Sequence, residues 1–154
     1  MVMKIRLLIF TGILLVLQSW DLKGKKVQKD AENANKAVTV TLVKEDYAEI
    51  VNSNGKAILY VVPANMADGS ASKLAEVSFE TKELPFSVTF EFPKSHRSLI
   101  QGHVSDQDSL IYYVGLEWDS NGDGQIDSLD LSIDYDTQYP SVDLDKIDHQ
   151  VIIK

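Results

Sequence analysis

The run Asp119-Ser120-Asn121-Gly122-Asp123-Gly124-Gln125-Ile126-Asp127 places an acidic or amide residue at every odd position. Alternate residues of a short loop can turn inward together and surround one hard cation with oxygens. Calcium takes about six to eight such ligands at roughly 2.3–2.6 Å. Asp119, Asn121 and Asp123 would give side-chain oxygens, Gln125 its backbone carbonyl, and Asp127 a carboxylate, directly or through water. Gly124 suits the sharp turn after the third ligand, and Ile126 is expected to enter the core and tie the loop to the fold. Carboxylates this close repel one another, and a divalent cation removes the repulsion. A metal-free turn needs only one Asn-Gly or Asp-Gly pair. Several acids in register therefore point to calcium, with magnesium the weaker candidate because it demands octahedral geometry.

The elements that must hold this loop read as strands. Leu110, Tyr112, Val114, Leu116 and Trp118 alternate before it, and Leu129, Leu131, Ile133 and Tyr135 alternate after it. Upstream, Val38, Val40 and Leu42 alternate with threonines, Ala57 to Val62 is a continuous apolar run behind an Asn54-Gly55 turn signal, and Leu74 to Phe79 is a short strand. Phe86, Val88, Phe90 and Phe92 alternate between Pro85 and Pro93; Leu99–Val104 and Val151–Ile153 are further strand candidates. No stretch of helical length carries a 3.6-residue period, and no internal repeat is visible. The fold expected is all-β: a single β-sandwich of about seven to eight mostly antiparallel strands.

The loop resembles the calcium-binding loop of the EF-hand family over Asp119 to Asp130. Asp130 stands at the twelfth position, where that family usually carries a glutamate. The neighbouring segments alternate as strands rather than helices, so the loop is also similar to the strand-loop-strand calcium loops of integrin-type β-propellers. That resemblance implies ligands at the first, third, fifth, seventh and ninth positions and leaves Asp130 beyond the site, on the polar face of the next strand. A wider similarity covers Ala57 to Phe92: strand, Pro63, small-residue loop, strand, Leu84-Pro85, alternating strand. That order looks like the small periplasmic β domain of cytochrome c biogenesis assembly proteins and implies binding of a partner polypeptide.

The N-terminus reads as an export signal. Lys4 and Arg6 precede an apolar run from Leu7 to Leu17, and Gln18 and Ser19 restore polarity. As a helix the run would span about 17 Å against about 30 Å of hydrocarbon. Residues 1–19 are therefore expected to be a cleaved signal peptide, leaving no membrane span and a secreted or periplasmic protein. Residues 20–35 are a polar, lysine-rich linker, and 36–154 are the sandwich.

The 154 residues carry a formal net charge of −8, concentrated in the C-terminal third. Such a chain does not hold a phosphate backbone, so nucleic acid is not an expected partner. The absence of cysteine excludes disulfides, thiol nucleophiles and thiolate metal sites. His96, His103 and His149 have no metal-ligand spacing and are expected to be structural. Asp134 with Asp136, and Asp143 with Asp145, are acid pairs expected on solvent faces. Tyr112, Tyr113, Trp118, Tyr135 and Tyr139 are expected to be packing residues. The reading is an exported, non-catalytic calcium-binding sandwich with a surface for an unidentified protein or glycan partner. The alternatives are a carbohydrate-binding or adhesive module and, less favoured, a carboxylate-based hydrolase.

Overall fold

The computed structural model describes residues 35–65, 70–101 and 104–154. The expected signal peptide and nearly all of the expected linker lie outside them. The described residues form a β-sandwich of seven strands in two sheets. One sheet holds β4 (Phe86–Pro93), β1 (Asn35–Val43) and β7 (Asp148–Ile152), in that order; the other holds β3 (Ser72–Glu80), β2 (Asn54–Pro63), β5 (Leu110–Glu117) and the two-residue β6 (Ser141–Val142). All pairings are antiparallel except β1 with β7.

Period-two alternation explains the layers. Val38, Val40 and Leu42 of β1, Val88, Phe90 and Phe92 of β4, Ala57, Leu59 and Val61 of β2, and Val114 of β5 meet in one core. The intervening residues face outward. There Thr39 bonds Thr89 at 2.9 Å and Thr41 bonds Ser87 at 2.8 Å across the β1–β4 pair. Trp118, which leads directly into the aspartate loop, is 1% exposed. It packs edge-on against Phe79 at 5.1 Å and Phe86 at 6.0 Å, and its indole N–H donates to the Asn52 carbonyl at 2.7 Å.

Three local expectations are corrected. Of the expected strand Leu99–Val104, the described residues 99–101 and 104 are not in a strand: His96–Leu99 form a 3-10 turn, and the Arg97 guanidinium donates to the Ser105 and Asp108 carbonyls at 2.9 and 3.0 Å. Asn54-Gly55 is not a turn but the start of β2. Gly55 is small because a Cβ there would stand 2.9 Å from Trp118 Cγ. Leu129–Tyr135 is not a regular strand. Leu131 and Ile133 are buried as the alternation requires, but Leu129 and Tyr135 are exposed, and pairing shrinks to one bridge between Ile133 and Ile153. Aspartate side chains cap both ends: Asp127 accepts the Leu129 N–H and Asp134 accepts those of Asp136 and Thr137, so those groups cannot join a ladder.

Candidate metal loop

The loop grows from a rigid stem. Beyond Trp118, the Ser120 carbonyl accepts the Val51 and Asn52 N–H groups at 2.9 and 3.1 Å. The buried Ser120 hydroxyl donates to Asp130 Oδ1 at 3.2 Å and accepts the Leu131 N–H at 2.8 Å. The first end of the loop is thus fastened to the segment ahead of β2, and the second end is fastened to the first through Ser120. Gly122 and Gly124 have φ of +76° and +88°, which L side chains adopt only with strain. A Cβ on Gly122 would also approach Val51 Cγ1 to 3.1 Å.

Within the loop the acids organise the backbone. Asp119 Oδ1 accepts the N–H groups of Gly122 and Asp123 at 2.9 and 3.1 Å, and its Oδ2 that of Gly124 at 3.0 Å. Asn121 Oδ1 accepts the Asp123 N–H, and Asp123 Oδ1 the Gln125 N–H, each at 2.8 Å. Asp123, Gln125 and Asp127 are exposed, while Asp119 and Asn121 are half-buried. Among the described residues, no three Asp, Glu or His side chains converge in a way that could hold a metal ion. The donor chemistry still suits a hard cation: every side-chain ligand candidate is an oxygen, turned by two left-handed glycines. None of Asp119, Asp123, Asp127 and Asp130 has a Lys or Arg within salt-bridge distance among the described residues.

Two residues sit differently from expectation. Ile126 does not enter the core; it is 61% exposed and overhangs a shallow groove with Phe79, Lys56 and Glu117. The loop is tied down instead by Ser120, whose role leaves no mark in the spacing because it stands at an even position, outside the alternating run of candidate ligands. Asp130 does not lie on the polar face of a strand. It is 5% exposed and folds back into the loop, accepting the Asn121 N–H at 3.1 Å and the Asp127 N–H at 2.9 Å. The Asp127 N–H foremost, then those of Asn121 and the Ser120 hydroxyl, hold its carboxyl below the usual carboxylate range against the upward push of burial.

The other constellations separate clearly. Asp134 and Asp136 both face Lys154, at 3.7 and 2.6 Å. Asp143 Oδ1 accepts the Asp145 N–H at 3.0 Å. His96 is buried, with Nδ1 3.2 Å from the Pro93 carbonyl and Nε2 2.7 Å from the Tyr112 hydroxyl. The carbonyl can only accept, which assigns the proton to Nδ1 and makes Nε2 the acceptor of the phenol. Burial first of all pushes the His96 pKa down and the Tyr112 pKa up. His149 reaches the Asp143 carbonyl at 2.9 Å, and His103 lies outside the described residues. The expected aromatic group divides: Trp118 and Tyr112 pack on the core side, whereas Tyr113 and Tyr139 join Tyr60 on the outer face of the four-stranded sheet.

No family model matches the chain, and no curated protein matches it. Among solved structures, an alternative pilotin from the type II secretion system of Vibrio cholerae superposes with a TM-score of 0.49 at 13% identity, covering 79% of this chain and 98% of that one.

Proposed function

We propose that this chain is an exported, non-catalytic binding domain whose loop from Asp119 to Asp130 takes a structural calcium ion. The observation that carries the reading is the unbalanced charge of the loop. Four carboxylates lie within twelve residues without a cationic partner among the described residues, although other acids of the fold have one: Glu76 with Lys56 and Lys73, Asp134 and Asp136 with Lys154. On this reading the ligands come from the first, third, fifth, seventh and ninth positions, and the buried carboxylate of Asp130 would orient the loop backbone or join the site. Asp119, Asn121, Asp123 and Asp127 would supply side-chain oxygens and Gln125 its carbonyl. The metal would offset two of the loop's four negative charges and lock it between Trp118 and Leu131. Export rests on the apolar run Leu7 to Leu17, and among the described residues no helix is long and apolar enough to cross a membrane.

Calcium that binds only the folded state stabilises by about 2.7 kcal/mol at a hundredfold excess over Kd. For a domain of this size that is a rise in Tm of about 10 °C. Thermal unfolding in millimolar calcium and in chelator measures it. Equal midpoints in the two buffers would remove the calcium reading and leave the fold untouched.

A further inference from the structure

The outer face of the four-stranded sheet carries a row that crosses every strand: Lys73 on β3 opposes Tyr60 on β2, Tyr60 opposes Tyr113 on β5, and Tyr113 opposes Ser141 on β6. The Tyr60 and Tyr113 rings are 5.3 Å apart with planes within 25° of each other, and Tyr139 packs beside Tyr113 at 5.7 Å. Tyr60 lies over Gly115: a Cβ at that glycine would come within 2.7 Å of the ring. The absence of a side chain at 115 therefore lets the phenol settle onto the sheet. Tyr139 remains 51% exposed.

We propose that this tyrosine face binds a neutral glycan, with the rings of Tyr60, Tyr113 and Tyr139 stacking on pyranose faces and their hydroxyls meeting sugar hydroxyls. Two properties of the face select that occupant. The charges beside it balance, two ammonium groups against two carboxylates: Glu76 accepts from Lys73 at 2.8 Å and lies 3.4 Å from Lys56, and Glu117 opposes Lys56 across the β2–β5 pair, so these neighbours offer no net charge to an ionic partner. Its apolar extent is also small. A stable protein interface takes about 800 Å² and roughly 20–30 residues on each side, whereas the apolar surface here is Ile111, Tyr139 and the half-buried Tyr60 and Tyr113. Aromatic rings with a polar tip suit a ligand that is apolar on its faces and hydroxylated at its edges. The inference rests on the reading of the domain as a binding module, and not on the calcium loop.

Affinity electrophoresis through gels containing soluble starch, hydroxyethylcellulose, glycol chitin or dextran tests it, run in calcium and in chelator below the melting temperature. The expected result is retardation by at least one polysaccharide. Y139A should weaken it about tenfold in Kd, a stacking increment of ordinary size. Y139W should keep it, and Y112F, altered on the core side, should leave it unchanged. Unaltered melting of Y139A shows that the fold is intact. No retardation by any of the four polymers, or equal retardation of Y139A, overturns the proposal. A dimer that Y139A dissociates overturns it in favour of a second copy of the chain. Because calcium is judged by melting and the glycan by mobility, either reading can fail alone.

Discussion

At the turn beginning with Asp134, the carboxylate accepts the N–H groups of Asp136 and Thr137, and the ammonium of Lys154 lies against both acids. At the loop beginning with Asp119, a carboxylate likewise gathers the N–H groups that follow it, but no lysine or arginine among the described residues approaches. Local geometry is therefore shared and charge balance is not. An aspartate that bends its own backbone builds a turn wherever it stands. Only the first loop combines two left-handed glycines, alternating oxygens and uncompensated charge. The comparison separates what an aspartate turn does for the chain from what it leaves available to a cation.

The largest effect should come from the stem. Trp118 fills the core under the loop and ties the Asn52 segment to it. Replacing a buried Trp by Ala costs about 3–5 kcal/mol. W118A should lower the unfolding free energy measured in urea by that amount, in calcium and in chelator alike. A loss confined to one buffer would mean that the ion, not the tryptophan, holds the stem, and would break the comparison at its foundation.

D119N comes next. The amide oxygen that replaces one carboxylate oxygen can keep the bonds to the Gly122 and Asp123 N–H groups, but the negative charge and the second oxygen are lost. The variant should forfeit the calcium increment, about 2.7 kcal/mol at a hundredfold excess of metal over the native Kd. In chelator it should differ little from the parent, because the lost bond to Gly124 is offset by relief of repulsion among the acids. Titration calorimetry with calcium would show no binding heat. A variant that still melts higher in calcium would move the site away from Asp119.

The sandwich was legible in the sequence wherever burial on one face dictates alternation: β1, β4 and β5 lie where their periods placed them, and β2 holds the apolar run Ala57 to Val62 but begins inside the expected turn. It was illegible where side chains compete with the ladder. Arg97 reaches two carbonyls eight and eleven residues on, and Asp127 and Asp134 intercept N–H groups that would otherwise pair. Such long-armed bonds have no period. The candidate loop was visible through its spacing, yet its fastening was not, because the Ser120 carbonyl meets the distant Val51–Asn52 segment and the inward turn of Asp130 is set by bonds to Ser120, Asn121 and Asp127 that have no period. The tyrosine face was hidden for the same reason. Tyr60 is far from Tyr113 in sequence, and only strand pairing brings them together.

The smallest effect should lie at the second turn. The Thr137 hydroxyl foremost, opposed by burial and helped by nearby N–H groups and Lys154, holds the Asp134 carboxyl below its usual range. The unfolded chain therefore takes up that proton at a higher pH than the folded one. The contribution of Asp134 to stability is complete above about pH 3.9, the ordinary carboxylate value, and is lost as pH falls through the folded value. Lys154 works in the opposite sense: its pKa is raised, first by Asp136, so its contribution is present below the ordinary lysine value and lost as pH rises through the folded one. K154A should shift the melting midpoint only slightly at low salt, and not at all at about 1 M salt, where charges are screened beyond about 3 Å. Its loss of stability on acidification should be smaller than the parent's and end at a higher pH. Without the cation that favours its ionised form, the folded Asp134 carboxyl titrates closer to the unfolded value. K154A should also gain no new response to calcium, although it leaves Asp134 and Asp136 without their cation, because that turn has no glycine to wrap its oxygens around an ion. A second calcium-dependent step in K154A would show that free carboxylates alone suffice, and that the glycines of the first loop are not what distinguishes it.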